Sequence, residues 1–330
     1  WEFSNGTKSF GPNPQRTFDD DGQFNGQLTV TDMTNLSGTG SFTVDIANRL
    51  PVVDAGPNTG GAWGTPIALN GQAVDPGADD QATLVYTWTF GDGTPGAGGA
   101  SVTHAYATPG DYTATLKVCD DHGCVNNGTL VHVRKRTTSV AYTGTNSGTF
   151  SAPATLMGSI TDELGQPVVG GTIAFTLGGG DAGSAQTNAS GNAARTVDVG
   201  LTLGTYAVSA AYAGNGFYDG GNTAESFDVA LMSSSVAYTG ALQGGPNKTI
   251  ALSAKLVDGL NRGLAGKTIV FQLGTQSVSA TTASTGIATA SLKLNQHNGT
   301  YSLTSTWTPT GADTAKWTGA STSATFKIGN

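Results

Sequence analysis

The chain has 330 residues and a formal net charge of −8, with 15 Lys and Arg against 23 Asp and Glu. That balance argues against nucleic-acid binding, which calls for clustered basic side chains. Charged residues make up 12% and Gly occupies 49 positions, so solubility rests on hydroxyls, amides and turns, the pattern of exported β-rich surface proteins. No apolar run reaches the roughly 18 residues a membrane-crossing helix needs. Trp1-Glu2-Phe3 opens directly in a strand pattern rather than a signal peptide, so the sequence is expected to be that of a mature or an incomplete chain. The length predicts two to four domains.

Residues 1–48 read as the later part of the unit that follows them. Trp1-Glu2-Phe3-Ser4-Asn5-Gly6-Thr7 lies over Trp88-Thr89-Phe90-Gly91-Asp92-Gly93-Thr94, and Thr17-Phe18 over Ala105-Tyr106. Gly22 lies over Gly110, and Leu28, Val30 and Asp32 lie over Leu116, Val118 and Asp120. Residues 41–47 supply a last strand. The stretch equivalent to residues 51–87 has no counterpart, so Trp1, Phe3 and Phe18 are expected to lack a covering sheet. The expectation is that the protein continues upstream. The competing reading is a strand donated by a neighbouring chain, which would make the protein a filament subunit.

Residues 49–136 are the complete unit. Leu84, Tyr86, Trp88 and Phe90 alternate with Val85, Thr87 and Thr89, the period of a half-buried strand. Gly91-Asp92-Gly93 turns the chain into a second strand carrying Val102, His104 and Tyr106. Pro109-Gly110-Asp111 turns it again into a third, with Tyr112, Ala114, Leu116 and Val118 on one side. Three antiparallel strands with a Trp and Tyr face need a second sheet over that face. Ile67 and Leu69 mark an early strand, and residues 75–80 form a polar turn. Arg134-Lys135-Arg136 reads as a solvated strand end and linker at a junction, with a local anion or polysaccharide contact as the alternative. Cys119 and Cys124 flank the turn in VCDDHGC, where cross-strand positions suit a disulfide. A reduced pair and a metal site with His122 are the alternatives, the latter short of ligands. A disulfide implies an oxidising compartment, hence export.

The run Trp88-Thr89-Phe90-Gly91-Asp92-Gly93, then His104-Ala105-Tyr106, then Pro109-Gly110-Asp111-Tyr112 resembles the polycystic-kidney-disease (PKD) domain, over roughly residues 51–135. The resemblance implies an immunoglobulin-like sandwich of surface proteins and secreted hydrolases, usually a spacer or binding module. Some domains of that family bind calcium through carboxylates of the early turn and the domain entrance. The resemblance therefore directs attention to Asp75, Asp79 and Asp80 in the turn and Asp54 near the entrance. Solvated turns and a calcium site both remain open readings, since calcium needs six to eight oxygen ligands that must converge.

Residues 137–232 and 233–330 form a second kind of repeat. Ser139-Val140-Ala141-Tyr142-Thr143-Gly144 recurs as Ser235-Val236-Ala237-Tyr238-Thr239-Gly240, and Thr172-Ile173-Ala174-Phe175 as Thr268-Ile269-Val270-Phe271. A period of about 95 residues means tandem domains rather than a solenoid. The pair resembles bacterial immunoglobulin-like domains of the adhesin type. Every unit has Gly-x-aromatic at the start of a late strand: Phe24, Tyr112, Tyr206 and Tyr301. A Tyr there can form a tyrosine corner, which Phe24 cannot. No stretch has a sustained helical period, so the expectation is all-β, a string of immunoglobulin-like sandwiches arranged as an elongated chain.

Chemistry-bearing patterns are sparse. There is no nucleophile elbow, no H-E-x-x-H and no P-loop. Asp19-Asp20-Asp21-Gly22 lacks the alternating ligands and distal Glu of an EF-hand and reads as a charged hairpin turn. Trp307 is expected in the core, whereas Trp63 and Trp317 lie in loops where exposure and burial are equally expected. Asn-x-Ser/Thr sequons such as those at Asn5, Asn35, Asn127, Asn247 and Asn298 fall in turns that generate the pattern by chance. The functional expectation is a non-enzymatic extracellular module of a larger surface or filament-associated protein, acting as spacer and in adhesion or self-assembly. Its expected partners are copies of itself, other surface proteins or polysaccharide, without nucleic acid or membrane insertion and without a cofactor other than calcium. The alternatives are the accessory region of a secreted hydrolase and a virion or phage fibre module.

Overall fold

Two observations of pattern, strands that alternate and turns rich in Gly and Asp, become sheets in the computed structural model, which describes residues 1–329. The chain divides into two compact units: residues 1–136 with 216–218, and residues 137–215 with 219–330. Among the described residues no helix is long and apolar enough to cross a membrane.

In the first unit, residues 1–48 form a three-stranded sheet ordered Glu2–Phe3, Gly22–Thr31, Ser37–Ile46. Its aromatic side chains cover one another. Phe3 meets Phe42 and Phe18 edge-on at 5.5 and 6.0 Å, and Phe18 lies 4.5 Å from Phe24. The Arg16 guanidinium lies over Phe3 and Phe18. Only Phe3 is buried among these residues, while Phe10, Val30, Met33 and Leu36 are exposed.

Residues 49–136 build a two-layered sandwich. One layer is a five-stranded sheet ordered Thr59–Ala62, Cys124–Arg134, Gly110–Cys119, Val85–Thr89, Ala97–Gly98. The other layer consists of two strand pairs, Ile67–Asn70 with Ser101–His104 and Val52–Asp54 with Gln72–Val74. The Val102–Tyr106 segment therefore does not pair with the Trp88 strand as its alternation suggested. Leu116 is the register partner of Trp88 instead, and the long Phe90–Ala100 connection carries Ser101–His104 across to the opposite layer. Period-two alternation sets faces, not partners. Trp88, Leu116 and Val131 from one layer pack with Ile67, Leu69 and Val53 from the other. The layers approach so closely at Gly71 that a Cβ there would lie 2.2 Å from Leu116 Cδ2.

The all-β fold holds, with one short helix in this unit. Ala78–Thr83 is an α-helix of 6 residues that begins within the predicted polar turn of residues 75–80 and runs past it, too short for a helical period to register. Arg136 also departs from its reading as a solvated strand end. It is buried, with its guanidinium 4.2 Å over the Trp63 ring and its Nε donating to the Trp63 carbonyl at 3.1 Å, a cation–π platform that charge alone did not reveal.

The second unit contains the same architecture twice. A three-stranded sheet Thr138–Tyr142, Pro153–Asp162, Asn192–Asp198 faces a five-stranded one ordered Ser147–Thr149, Gly221–Ala230, Gly204–Tyr212, Thr172–Leu177, Gly180–Gln186. Ser234–Tyr238, Thr249–Asp258 and Ile287–Lys293, then Gln243–Gly244, Ala320–Ile328, Gly299–Trp307, Thr268–Leu273 and Gln276–Thr281, repeat that order. Leu156, Ile160, Ile173 and Phe175 are buried, as are their repeat equivalents Leu252, Leu256, Ile269 and Phe271. Buried polar residues recur too. Asp162 accepts from the amides of Leu164 and Gln166, and Asp258 from those of Leu260 and Arg262. Each closes an Asx turn through its Oδ1, and Asp258 Oδ2 accepts from Arg262 Nε at 2.7 Å. Trp307 is core and Trp317 is half-buried, packed edge-on against Trp307 and Phe150. A 3₁₀ turn at Gly311–Ala315 is the other helical element.

Candidate functional site

The residues of the recognisable motif cluster at one end of the Val85–Thr89 strand. The Asp92 carboxylate accepts from the Thr94 amide at 3.1 Å and the Thr94 hydroxyl at 2.6 Å, and its other oxygen lies 2.7 Å from His104 Nε2. Burial works against ionisation of Asp92, but the Thr94 and His104 bonds outweigh it and hold the carboxyl down at about 2. His104 stacks on Phe90 at 3.9 Å and meets Tyr106 edge-on at 4.6 Å. Tyr106 stacks on Tyr112 at 4.4 Å and donates its hydroxyl to the Phe90 carbonyl at 3.1 Å. Tyr112 donates to the Thr108 carbonyl at 2.9 Å, and Tyr301 donates to His297 in the same way. The Tyr206 hydroxyl lies 3.2 Å from that of Thr202. Trp88 Nε1 reaches the Ala100 carbonyl at 3.3 Å. Trp88, Phe90, Asp92, Tyr106, Tyr112, Tyr206 and Tyr301 thus all serve packing or corner formation. The Phe18–Phe24 pair of the first sheet stands where Tyr106 and Tyr112 stand here, without their hydroxyls.

The opposite end of that strand, where Val85 is the register partner of Cys119, holds a different arrangement. Four segments meet there: the Asp19–Asp21 loop, the Asp75–Gly77 turn, the start of the Ala78–Thr83 helix and the Asp120–Gly123 turn. Cys119 and Cys124 are register partners joined by a disulfide, which closes that last turn. Asp75 and Asp80 are 6% and 5% exposed, and in each the Oδ2 atom is buried with no hydrogen-bond partner. Oxygens of Asp75, Asp80 and Asp120 lie within 4.8 Å of one another, as do ligand atoms of Asp21, Asp80 and His122. The site is fastened through main chain as well. The Ala78 amide donates to the Asp19 carbonyl at 3.0 Å, and the Asp79 amide to Asp20 Oδ2 at 3.1 Å.

The electrostatics follow from this crowding. Burial raises the Asp80 carboxyl to about 6, helped by a hydrogen bond with Asp121 and by the charges of Asp121, Asp20 and Asp21. Asp120 is held below the usual carboxylate range by the Asn48 side chain, with the Gly123 and His122 amides adding to it. His122 is raised by its bond to Asp121. Hard oxygen donors gathered without a neutralising partner at Asp75 and Asp80 suit a calcium ion.

Of the carboxylates expected from sequence, the structure brings together Asp75 and Asp80 and leaves out Asp54 and Asp79. Asp54 accepts instead from the Gly56 amide and the Gln72 side chain, because its strand pairs with Gln72–Val74 and turns it away. The Asp79 side chain is exposed on the outer face of the helix. Asp20, Asp21, Asp120, Asp121 and His122 were not anticipated. The available signal was that the unit's other adjacent acid pairs, in DDDG and CDDHGC, also sit in turns.

Residues 48–134 match the family model of the PKD domain. A three-immunoglobulin-domain fragment of titin aligns over 84% of this chain and 97% of its own at 11% identity, TM-score 0.32. Sidekick-1 immunoglobulin domains 1–5 align over 95% of this chain and 67% of theirs at 12% identity, TM-score 0.36. A Ca2+-stabilised adhesin by which an Antarctic bacterium binds ice aligns over 93% and 82% at 14% identity, TM-score 0.29. The segment of residues 48–134, with its W-x-F-G-D-G, H-x-Y and P-G-x-Y network in place, is a PKD domain within a chain of immunoglobulin-like β-sandwiches.

Proposed function

We propose that the chain is a non-catalytic, extracellular structural and adhesive module whose PKD domain holds a calcium ion at Asp75, Asp80 and Asp120. The observation that carries the non-catalytic part is what the motif's reactive groups do. Asp92 and His104 hold each other and Thr94 in a turn, and the Tyr106 and Tyr112 hydroxyls bond main-chain carbonyls. Groups with that chemistry in an active site would face a cleft and a substrate. The calcium part is supported by the two buried, unpartnered carboxylate oxygens of Asp75 and Asp80 beside Asp120. Ordered sandwiches with stapled turns suit a spacer that presents faces and strand edges to partners of the same or another surface.

The test uses the purified chain. It is incubated with peptide and polysaccharide substrates, tested for retention on cell surfaces and polysaccharide, and titrated with calcium by calorimetry. Retention without turnover, with one calcium bound and that binding lost in Asp75→Asn, is expected. Turnover removed by a single Asp or Glu substitution would replace this reading with an enzymatic one.

A further inference from the structure

The carboxylates of the PKD domain are not the whole cluster. A Cβ placed on Gly77 would lie 2.5 Å from Asp20 Oδ1, 3.0 Å from Asp80 Oδ2 and 3.3 Å from Asp75 Oδ1. Three carboxylate oxygens therefore converge on one point that Gly77 leaves open, and one of them comes from the three-stranded sheet of residues 1–48. Asp21 adds an oxygen within 4.8 Å of Asp80. Asp75 and Asp80 are the buried groups here; Asp80 aims its unpartnered Oδ2 at this point, while Asp75 presents its Oδ1, which accepts from the Gly77 amide, and keeps its Oδ2 buried without a partner.

We infer that Asp20 and Asp21 complete the calcium site, so that bound calcium fastens the three-stranded sheet of residues 1–48 to the PKD domain. This rests on the calcium reading above. Its physical basis is simple. Carboxylates at this spacing, drawn from segments far apart in sequence, repel one another when ionised. A divalent cation reverses the sign, and its binding free energy then adds to the docking of the Asp19–Asp21 loop, since only the docked arrangement offers the full ligand set. The ties between the parts include the Asp19 and Asp20 bonds to the helix start, the Asn48 bond to Asp120 and the Asp21 carboxylate 3.7 Å from His122 Nε2. The Gly22–Thr31 strand begins directly after Asp21, so fixing that loop fixes the register end of the central strand of the sheet.

The experiment combines calcium calorimetry with hydrogen exchange on the full 330-residue chain, in calcium and in EDTA. The variants are the wild type, Asp20→Asn with Asp21→Asn, and Gly77→Ala. Gly77 has ordinary extended φ, so Ala is tolerated by the backbone while its methyl fills the point of convergence. In the wild type, calcium is expected to slow amide exchange in residues 17–31. The double variant is expected to bind calcium at least tenfold more weakly and to lose that slowing. Gly77→Ala is expected to do the same with every carboxylate still present. The readout is the calcium-dependent difference within each variant, so any looser docking of the variant in EDTA does not enter it. Calcium bound equally by wild type and double variant overturns the bridging and leaves the PKD-domain site intact, as does binding without any change of exchange in residues 1–48. No calcium binding by the wild type overturns the calcium reading itself.

Discussion

Tyr106→Phe removes a single oxygen from the centre of the PKD domain and leaves the rest of the aromatic stack in place. Tyr106 has 0% exposure, and its hydroxyl donates to the Phe90 carbonyl at 3.1 Å. The lost hydrogen bond is worth about 0.5–1.5 kcal/mol net, and a buried carbonyl left without that donor adds to it. The expected cost is about 1–2 kcal/mol. For a domain of this size 1 kcal/mol moves the melting temperature by about 4–8 °C, so the PKD transition should fall by about 4–16 °C at pH 7. The same substitution costs less at alkaline pH. Burial, with the nearby Asp92 charge and Tyr112, pushes the Tyr106 hydroxyl up to about 12 from the usual 10. Above pH 10 the unfolded chain releases this proton and the folded domain keeps it. The unfolded state then binds fewer protons, and stability falls as pH rises from 10 to 12. The Phe variant has no such proton and should decline less steeply over that window, narrowing its deficit. Scanning calorimetry of the full chain at pH 7 and from pH 9 to 11 reads both effects, because the PKD transition is the one that moves. A shift below about 1 °C at pH 7, or identical alkaline slopes in the two proteins, would refute the assigned role of the hydroxyl.

Two further outcomes are expected. Asp92→Asn should destabilise the PKD domain at neutral pH, and the difference should vanish on acidification. The native Asp92 carboxyl at about 2 lies below its unfolded value of 3.8, so its contribution is complete above pH 4 and is lost as pH falls towards 2; melting curves at pH 2 to 6 check this. Cys119→Ser with Cys124→Ser should lower stability by about 2 kcal/mol for so short a loop. It should also weaken calcium binding, because the disulfide closes the turn that supplies Asp120; an unchanged calorimetric affinity would count against that turn's part in the site.

How much of this was legible in the sequence depended on how far apart the interacting residues lie. Asp92 with Thr94, and Tyr112 with Thr108, are contacts across two and four positions, so the motif displays its own hydrogen bonds. The tandem repeat was equally visible, because Phe175 and Phe271 occupy the same place in two copies of one strand order. The strand partners were less so. Ser101–His104 alternates as well as its neighbours do, and only the length of its connection bears on which layer it joins. The acidic site was the hardest case. Asp20, Asp75, Asp80 and Asp120 come from four segments, each of which reads alone as a solvated turn. Burial of Asp75 and Asp80 arises only when the four segments meet, and the short helix that carries Asp80 lies below the length at which periodicity can be seen.

The register of two strands explains why the recognisable motif and the candidate site do not overlap. Gly110–Cys119 runs antiparallel to Val85–Thr89, pairing Thr115 with Thr89 and Cys119 with Val85. Phe90, Asp92, Tyr106 and Tyr112 therefore collect at the end where the Trp88 strand exits, and Asp80 and Asp120 at the end where it enters. Residues that hold the two layers in register must be large, few and fixed in spacing, which makes a motif. A cation site at the other end needs only oxygen atoms in turns, which many spacings can supply. Carboxylates can then be gained or lost at the entry end without disturbing the aromatic ladder, since groups this far apart act nearly independently. In this chain the neighbour's Asp20 already touches the PKD helix through the Asp79 amide, which places a carboxylate where an ion would make that contact depend on calcium.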